Sequence, residues 1–189
     1  QLYALASRTI EARLVEESGR FLRKVVNLTH ETTHLCVLRG GNVLTLKSEM
    51  SNHAFRGVGW EGVSVAALKT SSGRALISDW SEAEVAEWYA EHAGDSTIIR
   101  PTIGAPVTQP IPAEGADADL SFARIRSLDA LLVELAKIRA QGYATVDEEF
   151  EFGLVGASAA IRDQSNRIIG VINVSAPKTR IGPQLDQVG

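Results

Sequence analysis

Of the 189 residues only one is a cysteine, Cys36, and only one a methionine. A lone cysteine excludes an internal disulfide framework and any Cys-rich zinc module, and it points to a reducing compartment. No apolar run approaches the roughly 18 residues of a membrane span, and no secretory leader pattern is visible. The expected location is the cytoplasm, with no membrane partner. Positive charge is not in excess either: 19 Lys and Arg stand against 23 Asp and Glu, a net charge of −4. The densest basic cluster is Arg20, Arg23 and Lys24, whereas a surface that grips phosphates carries a basic stripe. This chain by itself is a poor candidate for holding nucleic acid. What is present is ordinary for a globular domain: 44% apolar, 22% charged and 6% aromatic residues, which rules out wholesale disorder and collagen-like structure. A domain of this size buries roughly 70% of its unfolded surface without a staple. The chain begins at Gln1 rather than Met, and the expectation is a piece of a longer protein.

Hydrophobic spacing predicts a helix over residues 2–18, through Leu2, Leu5, Ala6, Ile10 and Leu14. Gly19 interrupts it, and Phe21, Leu22 and Val25 resume a helical face. Leu35 to Leu38 and Val43 to Leu46 flank Arg39-Gly40-Gly41-Asn42 and predict a β-hairpin. Residues 51–64 read as a glycine-rich loop carrying an exposed Trp60. A short helix starts near Thr70-Ser71-Ser72-Gly73. Another follows Ser81, whose Glu84 three residues on completes a capping box, and carries Val85, Trp88 and Tyr89. Residues 93–119 form a long connection, with a possible short strand at Thr97 to Ile99. Ser127 caps a helix with Leu128, Leu131, Leu132, Leu135 and Ile138 on one face, and Gly142 stops it. Leu154 to Ile161 and Ile168 to Val174 flank Asp163-Gln164-Ser165-Asn166 as a second hairpin. Hairpins with helices between them predict an α+β fold, a mostly antiparallel sheet with helices packed on it.

Two motifs match only on paper. His30-Glu31-Thr32-Thr33-His34 has the His-Glu-x-x-His spacing of zinc peptidases, which requires both His on one helical face. Residues four apart lie about 6 Å apart on a helix and about 13 Å apart on a strand. The threonines and the run into Leu35-Cys36-Val37-Leu38 make this segment the entry to a strand. Gly57-Val58-Gly59-Trp60-Glu61-Gly62 has the Gly-x-Gly-x-x-Gly spacing but no flanking strand and helix to make a dinucleotide site. Asp147-Glu148-Glu149 reads as a solvated acidic face. Ser64 and Ser71 lack the context of a catalytic nucleophile.

Thr70-Ser71-Ser72-Gly73-Arg74 has two readings. It is a helix cap, or its amides and hydroxyls meet a carboxylate or phosphate. Asn173 and Ser175, two apart on a predicted strand, share a face and suggest a pocket wall. Asn173-Val174-Ser175 is also a glycosylation sequon, which a strand position argues against using. The inventory has no catalytic triad, metal cluster or acid–base pair. It suits binding rather than catalysis.

The last third carries Glu134-Leu135, Ile138-Arg139, Gly142-Tyr143-Ala144, Asp147-Glu148-Glu149, Gly153 and the run from Ile168 to Arg180. Together these resemble the C-terminal effector-binding domain of the IclR family of bacterial transcriptional regulators. Upstream, Thr70 to Leu76 is similar to the family's Thr-x-x-Gly-Lys-Ala-Leu segment, and Leu28 to Leu46 to its first hairpin, with Glu31 in the family's acidic position. The resemblance implies a GAF-like fold that binds a small organic acid, in a homodimer or homotetramer. It implies a winged helix-turn-helix DNA-binding domain upstream of Gln1, through which DNA would be held. It divides the chain into a helical lead-in at residues 1–26, the effector-binding domain at 27–180 and a tail at 181–189. The effector residues it implies are Ser71 and Ser72 through their backbone, with Asn173, Ser175 and Gly156, and with Val65, Val146 and Leu154 as wall. No catalytic residue, metal or cofactor is called for. Departures are Val146 for an acidic residue, Gly156 for a Cys, Leu68 for a His and Ala66 for a Pro. Val146 and Gly156 predict a roomier pocket and an effector larger and more apolar than a two- or three-carbon acid. The alternatives are a GAF-like sensor not linked to DNA, and a zinc hydrolase using His30, Glu31 and His34.

Overall fold

The computed structural model describes residues 9–95, 98–99 and 124–189. Helix α1 (Ile10–Thr29) starts at Thr9, whose side chain accepts from the Ala12 amide, and ends at His30 in the left-handed conformation. It is one continuous helix. Gly19 does not interrupt it but lies on its buried face with Ser18, Leu22 and Val26. A glycine inside a helix costs about 1 kcal/mol against alanine. Here it admits Lys47, whose Nζ would come within 3.0 Å of any added Cβ and which donates to the Val15 carbonyl at 3.1 Å. The expected helical positions Leu2, Leu5 and Ala6, and most of the expected connection over 93–119, fall outside the described residues.

Strands β1 (Thr32–Arg39) and β2 (Asn42–Glu49) form the expected hairpin around Gly40-Gly41, and Gly40 takes the positive φ of 56° that the turn requires. After them come β3 (Ser64–Ala66), a 3-10 turn (Ala67–Lys69), helix α2 (Ser71–Leu76), helix α3 (Glu82–His92) and the two-residue β4 (Ile98–Ile99). Helix α4 (Leu128–Gln141) leads into β5 (Tyr143–Asp147), β6 (Leu154–Arg162) and β7 (Ile168–Pro177). The chain closes with α5 (Lys178–Ile181), a 3-10 turn at Gly182–Gln184 and α6 (Leu185–Val188). The caps at Ser81 and Ser127 form as the sequence predicts. The Ser81–Glu84 capping box is complete, and Gly142 takes φ 90° after α4.

The fold is α+β. Among the described residues seven strands pair antiparallel in the order β4-β3-β2-β1-β7-β6-β5. Period-two alternation divides side chains between its two faces. On one face Val155, Val174 and Ala176 meet Val25 of α1 together with Ile181, Leu185 and Val188 of the closing helices. On the other, Cys36, Val43, Val65, Ala144 and Val171 meet Ala75, Leu76, Val85, Leu131 and Leu135 of α2, α3 and α4. One bulge, between Leu35 and Cys36, decides which β2 side chains reach which face. Thr45 stands opposite Cys36, but beyond the bulge Lys47 stands opposite Leu35 and reaches α1, so Ser48 shares the face of His34.

Candidate functional site

On the α2 face the sheet and α2 line a cavity of about 80 Å³. Sixteen residues line it, and all eight that the sequence singled out are among them: Val65, Ser71, Ser72, Val146, Leu154, Gly156, Asn173 and Ser175. The register explains the gathering. Val146 pairs with Gly156, Gly156 with Ser175, and Asn173 with both Ser158 and His34. Alternate residues of four adjacent strands, β1, β7, β6 and β5, therefore point to one side of the sheet.

Helix α2 enters this space at its N-terminus. Thr70 caps it by accepting from the Gly73 amide at 3.0 Å. The amides of Ser71 and Ser72 open the helix and have no intrahelical acceptor. The helix lies so close to the preceding turn that a Cβ on Gly73 would sit 2.1 Å from the Ala67 carbonyl oxygen, so only glycine fits. Arg74, 1% exposed, fixes the other side. It grips both oxygens of Glu149, and its Nε and Nη2 donate to the Leu68 carbonyl at 3.1 and 3.0 Å. The acidic triplet is therefore not a solvated face. Glu149 is buried in the ion pair that ties the β5–β6 loop to α2, and Lys178 bridges Asp147 and Glu148 at 2.8 and 2.7 Å.

The polar part of the wall is a closed set of hydroxyls and one amide. Ser158 Oγ lies 2.9 Å from Ser71 Oγ and 3.1 Å from Ser72 Oγ. Asn173 Nδ2, with two hydrogens to share, lies within donating distance of Ser71 Oγ, Ser158 Oγ and the Ala157 carbonyl, at 3.2, 3.0 and 3.2 Å. Each serine has one hydroxyl hydrogen. Three hydrogens against two serine–serine contacts leave one to donate elsewhere. His34 adds a second polar group, with Nε2 at 3.1 Å from Ser175 Oγ. Among the described residues no Asp, Glu, Lys or Arg lines the cavity. Burial lowers the His34 pKa to about 4, so the ring is neutral at pH 7. Burial raises the Cys36 thiol to about 11, against the opposing hydrogen bonds of Thr45 and Ser72. The thiol stays protonated and acts as wall.

One expectation is corrected. Trp60 is half-buried rather than exposed; it meets Phe150 edge-on at 6.1 Å and closes one side of the cavity. Gly156 lines the cavity, and a Cβ there would meet Asn173 Nδ2, Ser71 Oγ and the Val174 carbonyl at 3.4 Å each, ordinary contact that would take up cavity space. A cavity of about 150 Å³ holds benzene; on that scale the present space takes roughly three or four heavy atoms.

The zinc-site spacing also fails. His30 caps α1, His34 lies within β1, and both Glu31 oxygens accept from Arg180 at 2.6 and 2.7 Å. Among the described residues no group of three or more His, Cys, Asp or Glu could hold a metal ion. The lining residues that sequence reasoning missed include Thr45, Cys36 and Phe150, and His34 in any role but a metal ligand, with Ser158 behind the two serines of α2. For those on strands the signal was period two along β1, β2 and β6; Phe150 lies in a loop and had none.

The family described as Bacterial transcriptional regulator IclR C-terminal matches residues 120–186. The chain is 26% identical over 165 residues to the Pca regulon regulatory protein of Pseudomonas putida, covering 85% of this chain and 48% of that protein. It is 26% identical over 172 residues to the HTH-type transcriptional regulator BhcR of Paracoccus denitrificans, covering 89% and 52%. It thus spans about half the length of these two curated relatives. Among solved structures, the IclR of Thermotoga maritima superposes with a TM-score of 0.69 at 19% identity, covering 99% of this chain and 67% of that one. The inducer-binding domain of a PobR double mutant from Acinetobacter, in complex with 3-hydroxybenzoic acid, superposes with a TM-score of 0.65 at 19% identity, covering 90% and 86%.

Proposed function

We propose that the chain is the C-terminal effector-binding domain of a bacterial transcriptional regulator of the IclR family, as the family match over residues 120–186 and the regulators it resembles support, that its cavity binds a small monocarboxylic acid, and that binding controls DNA affinity through a winged helix-turn-helix domain upstream. The chain is not an enzyme; its curated relatives are transcriptional regulators. The observation that carries the acid reading is the enclosed pairing of the Ser71–Ser72–Ser158–Asn173 cluster with the opening amides of α2. That set offers hydrogens to an oxygen ligand, and the wall facing it is apolar. Because no charged side chain among the described residues lines the cavity, the ligand's charge is met there by dipoles and hydroxyls. The working state is a cytoplasmic homodimer or homotetramer. Among the described residues no helix is long and apolar enough to cross a membrane.

The acid that fits without rearrangement is compact, about the size of acetate; glyoxylate and pyruvate, one or two heavy atoms larger, need a small shift of the wall. A ring such as that of the 3-hydroxybenzoic acid bound to the PobR domain requires the Trp60–Phe150 pair to part. Trp60 lies in the 51–63 loop and Phe150 in the β5–β6 loop, both outside the regular strands. An effector alters DNA affinity only if it binds one arrangement of the full-length assembly better than the other.

A thermal-melt panel of glyoxylate, pyruvate, benzoate and 3-hydroxybenzoate, with their amides as controls, tests the acid reading. A ligand at 100 times its Kd adds about 2.7 kcal/mol, a rise of roughly 5–10 °C for a domain of this size. Ser71→Ala should remove the shift. A rise produced equally by the amides contradicts the reading.

A further inference from the structure

His34 is the middle member of a polar chain that runs across the sheet into the cavity. Its Nδ1 lies 2.8 Å from Ser48 Oγ and its Nε2 lies 3.1 Å from Ser175 Oγ. The ring is 5% exposed and lines the cavity together with Ser175. The placement comes from the fold. His34 faces Ser48 across the β1–β2 ladder and Asn173 across the β1–β7 ladder, and the β-bulge brings Ser48 rather than Lys47 to this side. Ser48 is itself held through its amide, which donates to Glu61 Oε1 at 2.7 Å.

A neutral imidazole has one nitrogen that donates and one that accepts. Both neighbours are hydroxyls, and each can serve either role. Two arrangements therefore satisfy the chain. In the first, Nδ1–H donates to Ser48, and Ser175 gives its only hydrogen to Nε2. Ser175 then offers the cavity lone pairs alone and repels a carboxylate. In the second, Ser48 donates to Nδ1, and Nε2–H donates to Ser175. The Ser175 hydrogen is then free to meet an oxygen in the cavity. The change moves one proton between the ring nitrogens and turns two hydroxyls, with no net charge transferred.

We propose that His34 is a specificity-determining residue of this site, whose tautomer sets whether Ser175 gives or accepts a hydrogen bond, and that a bound carboxylate holds the ring in its Nε2–H form. A ligand that presents a hydroxyl or amide hydrogen at the same place selects the opposite form. The inference rests on the acid reading of the cavity and goes beyond it by naming the residue that distinguishes an acid from its amide.

The test uses the whole chain labelled with ¹⁵N-histidine. The side-chain nitrogens of His34 are followed by long-range ¹H–¹⁵N correlation, with the member of the acid panel that raises the melting temperature most. The acid-bound ring should show a protonated Nε2 and an unprotonated Nδ1. Two variants, checked for native circular dichroism, add an affinity readout. His34→Leu should weaken that acid roughly fivefold, as expected for loss of the neutral hydrogen bond that orients Ser175. His34→Gln, whose amide nitrogen can still donate to Ser175, should restore most of the affinity. An Nδ1–H ring in the acid-bound chain overturns the inference alone, as does a His34→Leu affinity within twofold of wild type. If no acid in the panel shifts the wild-type melt, the acid reading fails and this inference fails with it.

Discussion

Replacing Glu149 with glutamine should be among the most damaging single changes on the α2 side of the protein. The Arg74 and Glu149 side chains are 1% and 4% exposed. Arg74 holds both carboxylate oxygens, and Glu149 also accepts from the Arg124 amide at 3.1 Å. Glutamine keeps the shape but removes the charge, leaving a guanidinium buried with only the Leu68 carbonyl and one amide oxygen to meet it. Removing one partner of a buried ion pair costs about 3–5 kcal/mol. For a domain of this length each kcal/mol lowers Tm by about 2–4 °C, so the expected fall is about 6–20 °C. The double change Arg74→Met with Glu149→Leu removes both charges and should lie within about 1 kcal/mol of wild type or above it, since apolar pairs of similar volume replace such ion pairs without loss. Urea denaturation of the three proteins, analysed by linear extrapolation, gives the comparison. If Glu149→Gln costs less than about 1 kcal/mol, the pair behaves as a solvated one and the account of what anchors α2 is wrong. If the double variant is as unstable as the single one, the geometry of the pair matters beyond its charge balance.

Other expectations follow from the same geometry. Gly73→Ala places a Cβ 2.1 Å from a backbone carbonyl oxygen and should destabilise by about 3 kcal/mol or more, whereas Gly156→Ala meets its neighbours at 3.4 Å and should change stability by less than about 1 kcal/mol while narrowing the cavity; thermal melts separate the two. The folded-state pKa of His34 is about 4, below its ordinary 6.5, so the unfolded chain binds more protons between these values and stability rises with pH across that window. As pH falls from 6.5 to 4 about 3 kcal/mol is lost through this group, and His34→Gln should flatten that part of a stability–pH curve. Glu84, Glu148 and Asp163, lowered by their hydrogen bonds, then add acid sensitivity to both proteins alike. Because no charged side chain among the described residues lines the cavity, the affinity for a carboxylate should change less than threefold between about 50 and 500 mM salt; calorimetric titration at the two salt levels measures it.

Local chemistry made much of this legible in advance. Gly40-Gly41 set a hairpin, Ser81 with Glu84 set a helix start, and Ser127 and Gly142 bounded α4, each through groups within four residues of one another. Asn173 and Ser175 share a face because strands alternate. What stayed hidden depends on partners distant in sequence. Glu149 reads as a surface acid until Arg74, 75 positions earlier, is packed against it. Trp60 reads as exposed until Phe150 arrives. Gly19 reads as a break until Lys47 crosses it. Strand β5, five residues between a helix stop and an acidic triplet, carries too short a pattern to stand out. The bulge that gives His34 its Ser48 partner leaves no mark on the alternation of either strand alone. Ser158 lies in a run of small residues whose role becomes visible only beside α2.

The central claim is that the cavity at the start of α2 is where a small acid binds. Amide chemical-shift mapping of the ¹⁵N-labelled chain, titrated with the panel acid that raises the melt most, tests it directly. The account predicts the largest shifts at Ser71, Ser72, Gly156 and Ser175. Shifts centred instead on the groove between Ile10 and Ser165, with the α2 amides unmoved, would contradict it.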